Sequence, residues 1–413
     1  MAGITEEGRK PRNIKTYNLK YVLSIFRSHD TCTASEISRE SNLSVTTIIK
    51  IIDRLKECGL IKSLGKGVST KEGGKKPEVF VFNKTYKYAA LIYMRKAGVS
   101  CALTDLTSQT VCKSEALYKN EKDFCSCAED AYQELKKLLA DQGIEEKDLC
   151  GVCIGIDGIV NAQNGNVIYP IHNKTWPTGD SILVYFKSLL KDVSSVYIEN
   201  SGRLIGQYAL LKYPEIRKES AAVFTIAQTI AGVLFDKNEI VRGAHGLIGE
   251  IGHISIPDPK HSVQCECGKK NCFEKLVNTR MLPVYAKELA GSNGDQELVG
   301  QIENGTVGPM EIIAMADEGN PLCQKVIDII ADHCFFVIEN IMITCDPHYY
   351  VLGGVYAENS KYFRYQLKKK LGEMQFFGVT TKINLRYINF GEYDLSGSTI
   401  RVIDAFLDNY KFD

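Results

Sequence analysis

Two stretches decide how this chain is read. The first is Gly243-Ala244-His245-Gly246-Leu247-Ile248-Gly249-Glu250-Ile251-Gly252-His253. The second is Cys265-Glu266-Cys267-Gly268-Lys269-Lys270-Asn271-Cys272-Phe273-Glu274. His253 stands twelve positions before Cys265, and a C-x-C pair is followed by Cys272. One imidazole and three thiolates make a Cys3His donor set, which suits tetrahedral zinc. Four protein ligands leave no open position, so the expected metal is structural, one Zn2+ per chain held by His253, Cys265, Cys267 and Cys272. The competing reading is three free thiols near a chance histidine. The other cysteines, among them Cys101, Cys150, Cys153, Cys323 and Cys334, stand singly in apolar or helical stretches. That is how small buried hydrophobes are used in a reducing compartment.

Around these stretches the chain alternates strands and helices. Strand patterns cover 88–111, 149–156, 195–198, 221–227 and 349–352. Helical patterns cover 125–139, 182–190 and 322–343. Such alternation over some 320 residues predicts α/β layering in two lobes.

The two glycine- and cysteine-rich stretches closely resemble the signature of the ROK family (repressors, open reading frames and sugar kinases). Asp346-Pro347, leading to Val351-Leu352-Gly353-Gly354, resembles the strand and turn near the family's C-terminal end. The resemblance spans almost the whole chain. It implies an N-terminal winged helix-turn-helix plus a two-lobed α/β domain of the actin-like, sugar-kinase-like (ROK) class. It also implies a sugar site at Asn200, Glu250, His253 and Glu274. Carboxylates accept hydrogen bonds from sugar hydroxyls and an amide does both. Trp176, the only tryptophan, lies where the family often carries an aromatic, able to cover a sugar or simply to pack.

Three departures from the family's kinases bear on chemistry. Kinases place an aspartate base after the asparagine of Glu-Asn-Asp. Here Glu199-Asn200 is followed by Ser201, a poor proton acceptor. The phosphate-cradling Asp-x-Gly-Gly-Thr appears as Tyr93-Met94-Arg95-Lys96-Ala97. The second phosphate turn, Gly-Thr-Gly-x-Gly, appears as Ala227-Gln228-Thr229-Ile230-Ala231. Side chains in place of these glycines obstruct the close backbone approach that phosphates require. No phosphoryl transfer is expected.

The first 87 residues read as a separate head. Leu19, Val22, Leu23 and Phe26 line one face of a helix over 17–28. A short helix over 34–40 turns Ile37 inward. Ser44 caps a third helix over 45–58, with Ile48, Ile51, Ile52 and Leu55 as its buried stripe and Gly59 as its stop. Two helices joined by a tight turn make a helix-turn-helix. A hairpin with strands at 60–62 and 78–83 follows as the wing, with Lys66, Lys71, Lys75 and Lys76 at its tip. The candidate DNA contacts are Ser44, Thr46, Thr47, Ile49, Lys50 and Arg54 on the third helix, and Lys75 and Lys76 on the wing. Thr46 and Ile49 suit base edges, whereas Lys50, Arg54 and the wing lysines suit phosphates.

Charge supports this division. Residues 1–87 carry 17 Lys and Arg against 9 Asp and Glu, a net of +8, and the remainder balances it at −8. A basic head on an acidic body predicts that only the head meets a polyanion. The sequence has 44% hydrophobic and 24% charged residues, as in ordinary globular proteins. It shows no apolar run long enough for a membrane span and no secretory leader, so a cytoplasmic protein without membrane contact is expected.

The expected organisation is a winged helix-turn-helix over 1–87 and a sugar-kinase-like effector and dimerisation domain over 88–413, with the zinc loop at 253–272. The expected function is sequence-specific transcriptional regulation, by repression of carbohydrate-utilisation genes in response to a sugar or sugar derivative. The partners are a palindromic double-stranded DNA operator, a small sugar effector and a second copy, as homodimer or tetramer. Two alternatives stay open: a ligand-blind regulator that uses its body only to oligomerise, and an ATP-dependent sugar kinase.

Overall fold

A computed structural model describes residues 11–67, 76–119, 123–171, 176, 182–227, 229–380, 382–389 and 396–412. It contains two compact units. One takes the chain up to Ile154, then Leu183–Tyr197 and the chain from Thr399 onward. The other takes Gly155–Ile182 and Ile198–Ser398.

The first unit opens with α1 (Pro11–Ser28), which buries Leu19, Val22, Leu23, Ile25 and Phe26. It starts earlier than its apolar stripe because a proline suits the first helical turn. The strand β1 (Cys32–Thr33) leads directly into α2 (Ala34–Ser41). Thr33 and Glu36 form a reciprocal cap. The Glu36 carboxylate accepts from the Thr33 backbone N–H at 2.8 Å, and the Thr33 hydroxyl accepts from the Glu36 N–H at 3.3 Å. Asn42, at φ 56°, ends α2. Ser44 then caps α3 (Val45–Glu57) by accepting from the Thr47 N–H at 3.2 Å. Ile48, Ile51, Ile52 and Leu55 are buried, and Gly59 reverses the chain at φ 74°.

The wing pairs β2 (Ile61–Lys66) with β3 (Glu78–Phe82) in antiparallel register, Ile61 opposite Phe82. β1 adds to the other edge of β3, giving the order β1-β3-β2. Phe80 and Phe82 face inward and are buried, as their alternation with Val79 and Val81 predicts.

The chain continues into β4 (Tyr88–Met94), β5 (Gly98–Asp105), β6 (Thr110–Leu117), α4 (Phe124–Asp141) and β7 (Leu149–Ile156). Next come β8 (Gly158–Asn161), β9 (Asn166–Pro170), α5 (Ile182–Leu189) and β10 (Val196–Asn200). One five-stranded sheet has the order β10-β7-β4-β5-β6, while β8 and β9 form a separate hairpin.

The second unit continues with α6 (Ser201–Lys212), β11 (Ser220–Ile226), β12 (Ile230–Asp236) and β13 (Glu239–Ile240). It runs on through α7 (Phe273–Val277), α8 (Met281–Asn293), α9 (Gln296–Glu303), α10 (Pro309–Asp317) and α11 (Pro321–Cys345). It ends in β14 (Tyr349–Gly354), α12 (Val355–Asn359), α13 (Lys361–Glu373), β15 (Gln375–Phe376), β16 (Val379–Thr380) and β17 (Asn384–Ile388). Its main sheet has the order β13-β12-β11-β14-β17, with β14 parallel to both β11 and β17. Ala222, Phe224 and Leu352 on that sheet share a core with Phe273 of α7 and Val326, Ile330 and Val337 of α11. Among the described residues no helix is long and apolar enough to cross a membrane.

The chain returns to the first unit in α14 (Ile400–Asp408). Val402, Ile403 and Leu407 enter the same apolar cluster as Ile48, Ile52 and Leu55 of α3 and Ala89, Leu106 and Cys150 of the sheet region. The head is therefore continuous with the first sheet and the C-terminal helix. Polar contacts tie the same surfaces. Arg27 meets Asp404 at 2.9 Å, Lys20 donates to the Asp408 carbonyl, and the Tyr86 and Tyr410 hydroxyls lie 3.0 Å apart.

Tyr410→Ala would remove the ring packed edge-on against Tyr86, Phe406 and Phe412. Amide exchange of α3 should then quicken by roughly tenfold or more, about 1.4 kcal/mol of lost local stability. Exchange in the β4–β5 pair should change less. Unaltered α3 protection would show that the C-terminal segment contributes nothing to the head.

Candidate functional site

The outward face of α3 is the first site. With the stripe from Ile48 to Leu55 turned inward, Thr46, Ile49 and Lys50 are exposed at its N-terminal half, Ile49 by 48%. Ser44 and Thr47 share a hydroxyl contact of 2.9 Å at the cap. An exposed isoleucine beside a threonine is a surface that can pack on thymine methyl groups.

Arg54 is placed differently from the expectation of a phosphate contact. Its Nε and Nη2 donate to the Phe412 carbonyl at 3.0 and 2.8 Å, and its Nη1 pairs with Glu57 at 2.8 Å. A helical wheel sets Arg54 off the buried stripe, but the far end of the chain supplies its acceptor. On the wing, Lys66 and Lys76 are exposed, while Lys71 and Lys75 lie outside the described residues.

The second site lies within the second unit. The loop from Gly243 to Gly249 leads into a single 3-10 turn at Ile251–His253, whose N-cap is Glu250. Gly249 has φ 97°, and a Cβ there would meet the Gly232 carbonyl oxygen at 2.5 Å. The loop thus lies backbone against backbone on β12, which brings Glu250 and His253 beside the strand. His253, Cys265, Cys267 and Cys272 come together as a group whose ligand atoms all lie within 4.8 Å of one another. Cys265 Sγ lies 3.5 Å from His253 Nδ1, and Cys267 Sγ lies 3.5 Å from Cys272 Sγ.

The loop is braced by its own backbone. The Cys265 N–H donates to the Lys269 carbonyl at 2.9 Å, and the Gly268 N–H to the Cys265 carbonyl at 3.0 Å. The Asn271 amide donates to the carbonyls of Asp258 and His261. Cys272 is the N-cap of α7, the helix that carries Glu274. The four-residue cluster therefore ties the turn of Glu250 to the helix of Glu274.

Bond lengths near 2.0 Å to nitrogen and 2.3 Å to sulfur give tetrahedral edges of ~3.5–3.8 Å. The His253–Cys265 and Cys267–Cys272 spacings, both 3.5 Å, lie at the short end of that range. Burial, with the neighbouring sulfur atoms, pushes the Cys272 thiol up to about 12. A bound cation would hold all three sulfur atoms as thiolates. The donor set thus fits a soft or borderline divalent metal.

The residues expected around a sugar are only partly at liberty. Glu250 is half-buried, and burial raises its carboxyl above the ordinary range, opposed by the charges of Arg203 and His253. One Glu274 carboxylate oxygen accepts from the Ile230 N–H at 2.8 Å. The Asn200 side chain caps α6, accepting from the Arg203 N–H at 3.1 Å, and it donates to the Gly158 carbonyl. Trp176 is 4% exposed. At the two expected phosphate turns, Arg95 closes a hairpin and pairs with Glu115 at 3.3 Å, and the Ala227 N–H bonds the Thr229 carbonyl. Gln228 lies outside the described residues.

The sequence reading missed one buried ionic group. Glu199, fully buried, is held between Arg203 and Arg242, with Arg203 Nη1 at 3.2 Å from its Oε1. Arg203 Nη2 also donates to the carbonyls of Gly246 and Ile248. Glu199 lies in the strand β10, outside α6, so no helical spacing announces its pairing with Arg203, and Arg242 is distant in sequence.

A winged helix-turn-helix joined to a sugar-kinase-like α/β body defines the class. The ROK family pattern matches residues 97–383, and a winged helix-turn-helix DNA-binding pattern matches residues 19–62. The chain belongs to the ROK family. It is 23% identical over 367 residues to a xylose repressor of Caldicellulosiruptor bescii, covering 88% of this chain and 89% of that protein. It is 24% identical to a glucokinase of Halalkalibacterium halodurans over 224 residues, covering 53% and 66%. A solved ROK family transcriptional regulator, described as a homologue of the E. coli MLC protein, superposes with a TM-score of 0.73 at 17% identity, covering 96% and 97%.

Gly249→Ala tests the close approach. A side chain at positive φ against a fixed carbonyl should cost about 1–3 kcal/mol in chemical denaturation. Wild-type stability would show that the loop can shift without loss.

Proposed function

We propose that this protein is a sugar-responsive transcriptional repressor that binds a palindromic operator as a dimer or higher oligomer and does not phosphorylate sugars. The observation that carries the reading is the exposed Thr46–Ile49–Lys50 face of a capped recognition helix, on a chain whose full-length relatives are named xylose repressors. The N-terminal end of α3 enters the major groove, where Thr46 and Ile49 meet base edges. Ser44 and Thr47 at the helix start, Lys50, and Lys75 and Lys76 of the wing hold phosphates. Arg54 joins them only where DNA outcompetes the Phe412 carbonyl.

In the body, Glu250 and Glu274 accept from sugar hydroxyls, with His253 and Asn200 beside them. His253, Cys265, Cys267 and Cys272 would hold one structural zinc ion, which fixes the loop that carries these groups. Ser201 in place of an aspartate base, and side chains at Tyr93–Ala97 and Ala227–Ala231, speak against phosphoryl transfer. A second reading has one observation in its favour. Both ends of the Asn200 amide are already bonded to backbone. A body that only oligomerises, without an effector, would show that arrangement.

In vitro selection of DNA by the full-length protein should enrich a palindrome with half-sites about 10 bp apart or a multiple of one turn. Lys50→Ala should weaken all sequences about equally, while Thr46→Ala should change the preferred bases. A protein that is folded and enriches no sequence would contradict the reading.

Cys265→Ser should reduce bound zinc, measured by elemental analysis, from one per chain towards none, and should lower the melting temperature. Unchanged metal content would remove the metal assignment.

A further inference from the structure

The first five-stranded sheet ends on an open edge. β6 pairs with β5 on one side, and among the described residues no strand lies on its other side. Such an edge is a row of backbone N–H and C=O groups able to template a further strand. β4, β5 and β6 belong to the same compact unit as the DNA-binding head.

The side chains of β6 alternate. Val111, Lys113, Glu115 and Leu117 are exposed, Leu117 by 81%, while Cys112, Ser114 and Ala116 are half-buried. The order of the exposed residues is self-complementary: apolar, cation, anion, apolar. When this strand pairs antiparallel with itself about a two-fold axis through Ser114, perpendicular to the sheet, Lys113 stands opposite the second copy's Glu115. Glu115 stands opposite the second copy's Lys113, and Val111 and Leu117 oppose each other in the same way. Directly opposed residues of an antiparallel pair point to the same face, so their side chains meet. The register is selective as well. An axis through Lys113 sets lysine against lysine, and an axis through Glu115 sets glutamate against glutamate, both unfavourable.

Two local features bear on this pairing. Glu115 meets Arg95 of its own chain at 3.3 Å and accepts from the Ser100 hydroxyl at 3.0 Å. Its side chain is still two-thirds exposed, which leaves room for a second cation. The ladder with β5 shifts register at the Val111 end, where Cys112 opposes Leu103 and Thr110 opposes Thr104. The regular run Cys112–Leu117 still holds both charged positions.

We infer that β6 is a self-association edge, on which two copies of this chain join antiparallel about Ser114 into one continuous sheet with two Lys113–Glu115 pairs across the axis. This inference rests on the oligomeric regulator reading and names an interface for it. The contact is isologous, the same patch meeting itself. Because the edge lies in the unit that carries α3, the pairing relates two recognition helices by the two-fold symmetry that a palindrome requires.

The experiment is sedimentation of the full-length protein over a range of concentrations, alone and with a selected operator. Lys113→Glu sets glutamate against glutamate twice, and Glu115→Lys sets lysine against lysine twice. Each should raise the dissociation constant of the associated species by roughly tenfold or more. An equimolar mixture of the two variants should associate again, because one edge is then acidic and the other basic. The double variant, Lys113→Glu with Glu115→Lys, should also associate, since the exchange restores self-complementarity. Recovery in the mixture shows in addition that neither variant had merely misfolded.

Association unchanged in both single variants, or weakened with no recovery in the mixture or the double variant, would overturn the edge and leave the oligomeric regulator reading standing. A wild type that stays monomeric at every concentration and binds its operator as a single copy would overturn both.

Discussion

The core of the DNA-binding head does not close on itself. Ile48, Ile52 and Leu55 of the recognition helix share one apolar cluster with Ala89 and Leu106 of the following sheet region and with Val402, Ile403 and Leu407 of the last helix. A three-helix head of this size buries little surface alone and gains stability by joining a larger core. The same arrangement makes the recognition helix sensitive to its neighbours. Leu407 belongs to the same cluster as Leu55, and the Phe412 carbonyl is the acceptor of Arg54. A DNA-binding module with an independent core on a free linker would not have that property.

The second constraint is the cluster of His253 with three cysteines. Short segments without regular structure cannot fix carboxylates by burial alone. Here one donor comes from the turn capped by Glu250, and another is the cap of the helix that carries Glu274. A metal held by all four would make the spacing of the two carboxylates a property of coordination bonds rather than of loop packing. Gly249 completes the arrangement from the other side, because its missing Cβ lets the loop rest on Gly232.

Much of this was legible in the residues. Ser44 as cap, the stripe Ile48–Ile51–Ile52–Leu55, Gly59 as stop and the alternation Val79–Phe80–Val81–Phe82 depend on local periodicity, and they stand where that periodicity puts them. The Cys3His cluster was legible because its donors are few and closely spaced. What was not legible depends on distant partners. Cys32–Thr33 is too short a strand to leave a pattern, and it exists because β3 offers it an edge. The acceptor of Arg54 lies at Phe412, and the second partner of Glu199 lies at Arg242. Neither pairing has a sequence spacing that announces it. Asn200 shows the same limit in reverse, since the residue matches the family's motif while its amide is spent on the cap of α6 and on Gly158.

On the proposed function, a ligand in the body controls the grip of the head on DNA. The direct measurement is fluorescence anisotropy of a labelled operator bound to the full-length protein, titrated with candidate effectors at constant ionic strength. At least one sugar or sugar derivative should raise the operator Kd, and Glu250→Ala should keep operator binding but lose this response. An operator affinity that no such ligand changes, or a response that survives in Glu250→Ala, would contradict it.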